Sequence, residues 1–138
     1  MKRAILFTCL VLFLVSCKKS EVDPEGPTDV RIYNNTQQVF DNVAIKTTDD
    51  PSYTNVEHNF GSVNPGEYSA YYRVDIAYTQ ADVSLTIGGV TYSVPKVNYS
   101  TLTYLSTMKV AYWITIKDYV NHVLKIEVVP EAEIDDLK

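Results

Sequence analysis

A chain of 138 residues has room for one compact domain, and its two cysteines, Cys9 and Cys17, exclude a disulfide-dense scaffold. Against 12 basic side chains stand 17 acidic ones, a net charge of −5 that repels phosphate backbones and argues against a nucleic-acid partner. The fold therefore has to rest on an apolar core, for which 46% hydrophobic residues are ample.

In chain order the first feature is Lys2-Arg3 followed by an apolar run from Ala4 to Val15, broken only by Thr8 and Cys9. This is the charged-then-apolar layout of a secretory signal, and the run is too short to span a bilayer as a helix. It ends in Leu14-Val15-Ser16-Cys17, which resembles the lipobox of bacterial lipoproteins. The resemblance implies that residues 1–16 are a signal peptide removed on export. It also implies that Cys17 is acylated, with palmitate among its labels, and that the lipid membrane is a partner. Cys9 would leave with the signal, and Cys17 would become a thioether, so no thiol remains for a disulfide or a thiolate metal site. Loss of Lys2 and Arg3 makes the mature chain more acidic, and the acyl chains must hold it without help from a polybasic patch. Lys18, not aspartate, follows the cysteine; in the sorting of enteric lipoproteins this implies delivery to the outer membrane. Cys17-Lys18-Lys19 is also similar to the mature start of Bacteroidota-type lipoproteins, whose surface-export signal sets acidic residues close to the cysteine. Here the first acids are Glu21 and Asp23, so periplasmic and surface-facing placements both stay open.

Residues 17–28 continue as KKSEVDPEGPT after the cysteine, a solvated tether of prolines, glycine and charge. From residue 29 to 130 the dominant period is two, the signature of half-buried strands. Val30 and Ile32 mark a short strand, and Val43 and Ile45 a second. Tyr68, Ala70, Tyr72, Val74 and Ile76 mark a longer one, opposed by Ser69, Arg73 and Asp75. Asp82–Ile87 and Val90–Val94 alternate on either side of Gly88-Gly89, a strong hairpin signal because both turn residues need positive φ. Lys109–Lys117 sets Val110, Tyr112, Ile114 and Ile116 against Ala111, Trp113 and Thr115. His122–Val129 sets Leu124, Ile126 and Val128 inward and Lys125 and Glu127 outward, with Asp118–Asn121 as the connecting turn. Asn34-Asn35, Asp49-Asp50-Pro51 and Asn64-Pro65-Gly66 punctuate the rest, and residues 131–138 read as an acidic tail.

No window has a helical period with caps at both ends. The expected fold is all-β: an antiparallel two-sheet sandwich of about seven strands, immunoglobulin-like in size but without the Cys…Trp…Cys spacing of true immunoglobulin domains. The stretch Asn59–Tyr72, NFGSVNPGEYSAYY, resembles small secreted Bacteroidota-type lipoproteins with such a domain and no assigned function. In these a Phe-Gly-x-aliphatic-x-Pro-Gly-Glu turn leads into a tyrosine-bearing strand. That resemblance implies a fold and an address over Val30 to Val129, and no catalytic residue.

Chemistry is sparse. His58 and His122 are far apart, without the about three or four convergent ligands that zinc needs. Asp49 and Asp50 are adjacent ahead of Pro51, which suits a turn better than a calcium cage or a pair of carboxylates set across a sugar. Ser62 follows Gly61 outside any nucleophile elbow, and Gly88-Gly89 is no phosphate loop. No cofactor or metal site is expected, and the chain reads as a non-enzyme. What stands out is aromatic content: 11 tyrosines, 4 phenylalanines and one tryptophan. Tyr68, Tyr72, Tyr92 and Tyr112 fall on apolar faces and are read as core. Trp113 and Tyr71 fall on the opposite faces. Either loops or the Val97–Thr107 segment cover them, or the two faces are the reverse of this assignment, or they form an exposed aromatic platform able to bind a ligand. Two functions follow: a structural or protein-interaction module docking an envelope protein, or a glycan-binding accessory using Trp113 and Tyr71.

Overall fold

The computed structural model describes residues 26–133. The expected signal peptide, Cys17 and most of the expected tether lie outside the described residues. Among the described residues eight strands occur: β1 (Thr28–Asn34), β2 (Asp41–Lys46), β3 (Glu57–Asn59), β4 (Tyr72–Val74), β5 (Asp82–Ile87), β6 (Val90–Ser93), β7 (Met108–Asp118) and β8 (Val123–Glu133). A single 3-10 turn, Tyr99–Thr101, is the helical content of the described residues, and no helix among them is long and apolar enough to cross a membrane. The all-β expectation holds.

The two-sheet antiparallel sandwich does not. All eight strands form one ladder in the order β3-β2-β5-β6-β8-β7-β1-β4. Two of its pairings, β1 with β7 and β6 with β8, are parallel. The physical reason lies in irregularities that periodicity does not reveal. Extra residues interrupt the ladder between Asp41 and Ala44, opposite Lys109–Val110, and between Ile116 and Asp118. Bulges sharpen the twist of a sheet, so this one curls into a nearly barrel-like shape and covers its own inner face. Val30, Ile32, Phe40, Val43, Ile45, Val74, Val83, Leu85, Val110, Tyr112, Ile114 and Leu124 fill that interior, each at most 3% exposed.

Local expectations fare unevenly. The β5–β6 hairpin turns on Gly88 (φ 56°) and Gly89 (φ 81°), with Ile87 opposite Val90. In the β7–β8 hairpin one Asp118 carboxylate oxygen accepts from the Val120 and Asn121 amides at 2.8 and 2.9 Å. The strand read over Tyr68–Ile76 is cut to Tyr72–Val74 plus one bridge from Tyr68 to Tyr33. Its interruption is Ser69, whose Oγ takes the Ile32 amide proton that a backbone carbonyl would otherwise accept. The phase shifts there, so Tyr68 is 43% exposed instead of core, while Tyr72 still packs against the interior. β3 has no alternation to announce it. β8 runs on to Glu133, three residues into the segment read as tail. Asn34, read as turn chemistry, is fully buried; its amide donates to the Gln38 and Val63 carbonyls at 2.7 and 2.9 Å.

Register sorts the loops between two ends. β1 and β7 start together, with Asp29 opposite Lys109, and both run toward Asn34 and Ile114. The chain therefore enters at the end that also holds residues 48–56, 75–81 and 94–107. The β1–β2, β3–β4, β5–β6 and β7–β8 loops lie at the far end, about 30 Å away along the ten residues from Lys109 to Asp118.

Candidate functional site

The densest group of interaction-prone side chains lies on the outer face of β1 and β7. Alternation aims Val30 and Ile32 inward, so Asp29, Arg31 and Tyr33 point out; parallel pairing sets them beside Lys109, Ala111 and Trp113. The Trp113 and Tyr33 rings are 4.7 Å apart at 46°, and Tyr33 and Tyr68 are 4.5 Å apart at 37°. The Arg31 guanidinium sits 3.8 Å over the Tyr68 ring and 4.6 Å over that of Tyr71, attracted by the negative ring faces.

Glu131 locks this row. It is the additional residue in β8 where Val110 pairs with Pro130 and Lys109 with Ala132, and the bulge delivers its carboxylate to Arg31. Arg31 Nε donates to Oε1 at 2.9 Å, Nη2 donates to Oε2, and the Tyr71 hydroxyl donates to Oε2 at 2.6 Å. Burial works against the Glu131 charge, but the bonds from Arg31 and Tyr71 outweigh it and hold the group below its ordinary pKa. Partial burial and then the bond to Glu131 push the Tyr71 phenol up to about 12. Next to it, Arg73 grips Asp29 at 2.7 and 3.1 Å.

Trp113 and Tyr71 thus share one outer surface, joined through Tyr33, Tyr68 and Arg31. Tyr71 is 38% exposed; Trp113 is half-buried, and its indole Nε1 is shielded with no hydrogen-bond partner. The linking residues Arg31, Tyr33, Tyr68 and Glu131 escaped sequence reasoning. The alternation of β1 flags two of them as outward, but nothing local announces the β1–β7 pairing that assembles them.

Other candidates scatter. His58 points into the interior from β3, stacked on Tyr72, and burial lowers its pKa. His122 sits in the β7–β8 turn at positive φ, edge-on to Tyr92. Ser62 donates to the Asp41 carboxylate at 2.6 Å, and Asp50 accepts from the Ser52 amide as a turn residue. Among the described residues no three His, Cys, Asp or Glu side chains converge to hold a metal ion. A shallow groove of about 570 Å³ crosses the outer faces of β2, β3, β5 and β6, lined by Lys46, Glu57, Asn59, Asp82, Ser84 and Ser93. Its charge is internally paired in part, Lys46 lying 3.4 Å from Glu57.

Fold and surface together define a small all-β domain with a curled single sheet and an aromatic–cation row outside it. No family model matches the chain, and no curated protein matches it. It is similar to a solved structure, that of a protein from Eubacterium rectale determined by NMR. The two share 17% identity over 82% of this chain and 97% of that one, with a TM-score of 0.51. That likeness carries the fold alone.

Proposed function

We propose that this chain is a lipid-anchored, non-catalytic module of a bacterial cell envelope that binds a protein partner. The observation that carries the reading is the row Trp113–Tyr33–Tyr68–Arg31–Tyr71. Trp, Tyr and Arg are the residues enriched in protein interfaces, and here Glu131 already orders their side chains, which lowers the entropy lost on binding. A glycan platform, the second function considered, asks for an open, flat ring. The ring planes here are tilted by 37° and 46°, and a guanidinium covers Tyr68 and Tyr71.

The lipid anchor rests on the lipobox at Cys17, and outer-membrane delivery on Lys18 after it. Two measurements test the proposal. The full chain, expressed with its signal in a lipoprotein-processing bacterium, is expected to take up palmitate label and to lose it in Cys17→Ala. Arg31→Ala and Tyr71→Ala, each folded, are expected to weaken co-purification of envelope proteins while leaving any retention on immobilised glycans unaltered. Label persisting in Cys17→Ala refutes the anchor. Retention on a glycan that falls with Tyr71→Ala replaces the protein partner with a sugar.

A further inference from the structure

The wall of the sheet opens where β6 gives way beside β8. The two strands meet at a single pair, Ser93 with Val123, although β8 continues to Glu133. The residues after Ser93 explain the break. The Val94 amide donates to the Val83 carbonyl at 3.0 Å, back toward β5, and Pro95 has no amide hydrogen to offer β8. Among the described residues no backbone bond joins residues 94–97 to β8, and a slot of about 300 Å³ lies between them. Val94, Val97, Leu124 and Ile126 give it an apolar floor, and the exposed Gln80 stands at its rim.

Lys96, Lys117 and Lys125 line the same slot, one from each segment that frames it. Lys117 is the additional residue of the β7 bulge, where Ile116 pairs with Leu124 and Asp118 with Val123; bulges re-aim side chains in this way. The other cations of the described residues are engaged. Arg31 pairs with Glu131, Lys46 with Glu57 and Arg73 with Asp29, and Lys109 lies 5.5 Å from the centre of the Tyr71 ring. Lys96, Lys117 and Lys125 make no ion pair among the described residues, and no Asp or Glu lines the slot. The neighbouring Asp118 carboxylate is already taken by the Val120 and Asn121 amides and the Asn121 side chain. In a chain of net charge −5, uncompensated positive charge gathered at one cleft is selective, and the apolar walls concentrate its field.

We infer that this slot binds a small organic anion: a phosphate, sulfate or carboxylate group held by the lysine ammonium groups and carried on a compact apolar body. The space is at the lower end of the about 300–1,000 Å³ found for small-molecule pockets, which suits a solute of that size. Lysines act on such groups as mobile point charges, and their long stems let the ammonium groups close around an anion that enters. Charge supplies the attraction, and burial of the apolar body against Leu124 and Ile126 supplies the rest. The slot is separate from the row on β1 and β7, so the inference rests on neither the protein-partner reading nor the lipid anchor.

Isothermal titration of the full chain with phenyl phosphate tests the site, with inorganic phosphate and benzyl alcohol as its charged and apolar halves. Phenyl phosphate is expected to bind about tenfold more tightly than either half. Its affinity should fall between about 0.05 and 0.5 M salt, since exposed charges are screened. The double variant Lys117→Gln, Lys125→Gln is expected to weaken binding about tenfold or more at an unchanged melting temperature. Lys46→Gln, which removes a lysine outside the slot, should leave it unaltered. Should the double variant fail to fold, Lys96→Gln on the exposed connection after β6 replaces it, with about threefold weaker binding expected. No heat with phenyl phosphate, equal affinity for inorganic phosphate or benzyl alcohol, or an equal loss in Lys46→Gln each overturn the inference. Soluble dihexanoyl-phosphatidylglycerol as competitor separates two sources of the anion: displacement of phenyl phosphate assigns a lipid headgroup, and no displacement a free solute.

Discussion

His58 and Tyr72 stack with ring centroids 3.6 Å apart and planes 9° from parallel, joining the two edge strands of the sheet across the seam where it closes. β3 and β4 share no ladder, so side chains add to the backbone bond that the Asp75 amide donates to the Asn55 carbonyl at 2.9 Å. Asn55, just ahead of β3, extends the closure: its amide donates to the Arg73 carbonyl at 2.6 Å, and its carbonyl oxygen accepts from Tyr72 at 2.7 Å. An edge covered in this way is protected from pairing with another chain.

The seam is expected to loosen in mild acid. Folded His58 binds its proton less tightly than the ordinary value of 6.5, because burial disfavours the charged ring. Between the two values the unfolded chain binds more protons, so stability rises with pH. The contribution is complete above 6.5 and is lost as pH falls through the folded value. Melting temperatures measured at about pH 7.5 and 5.5, spanning the ordinary titration range of histidine, should differ more in the wild type than in His58→Gln. Equal differences would remove His58 as the cause.

Tyr112 is fully buried, and its hydroxyl donates to the Tyr78 carbonyl at 2.6 Å, anchoring β7 to the segment before β5. Tyr112→Phe keeps the ring and deletes that bond, for an expected loss of about 1–2 kcal/mol in denaturant unfolding. A variant as stable as the wild type would show that the bond has no net value.

Gly89→Val tests the hairpin by conformation alone. A Cβ built at this position meets no atom within 4 Å outside the adjoining residues, so the backbone conformation sets the cost. Holding a β-branched residue at φ near 81° is expected to cost about 1–2 kcal/mol. An unchanged denaturation midpoint would mean that the turn accommodates another geometry.

Arg31 and Glu131 form a bidentate pair that is also bonded by Tyr71, and a double-mutant cycle with Arg31→Met and Glu131→Gln isolates their coupling. Both side chains are about one-fifth exposed, so a coupling of about 0.5–1 kcal/mol is expected, toward the upper end for surface pairs. Additive single losses would show that the pair orders the row without stabilising the fold.

Trp113 is the sole tryptophan, which makes its fluorescence a direct report on the outer row. A half-buried indole with a shielded nitrogen should emit between the core and solvent extremes and be quenched only partly by acrylamide. Tyr33→Ala removes the ring 4.7 Å away and should increase quenching. No change in Tyr33→Ala would separate the two residues in solution.

Strand existence was legible wherever one face is buried, because alternation then has to be strict: Val110, Tyr112 and Ile114, or Val83 and Leu85, announce themselves. The turn at Gly88-Gly89 was legible because its φ values exclude most residues. Strand order was not. Nothing in Arg31 or Trp113 says that β1 lies parallel to β7, and the aromatic row exists only through that pairing. Tyr68 was misplaced for a related reason, since a serine hydroxyl standing in for a carbonyl shifts the phase without altering the hydropathy pattern.

The parallel alignment of β1 with β7 also sets an order of events. Thr28–Asn34 is made early, yet its principal neighbour, Met108–Asp118, comes near the end of the chain. Closing so long a loop costs entropy that only the completed contact returns. Strands made before β7 can pair as β1 with β4 and as β3-β2-β5-β6, but no strand yet joins these two parts of the sheet. The last hairpin is the piece that makes one sheet of two, so a chain cut short before Met108 would hold only two separate ladders.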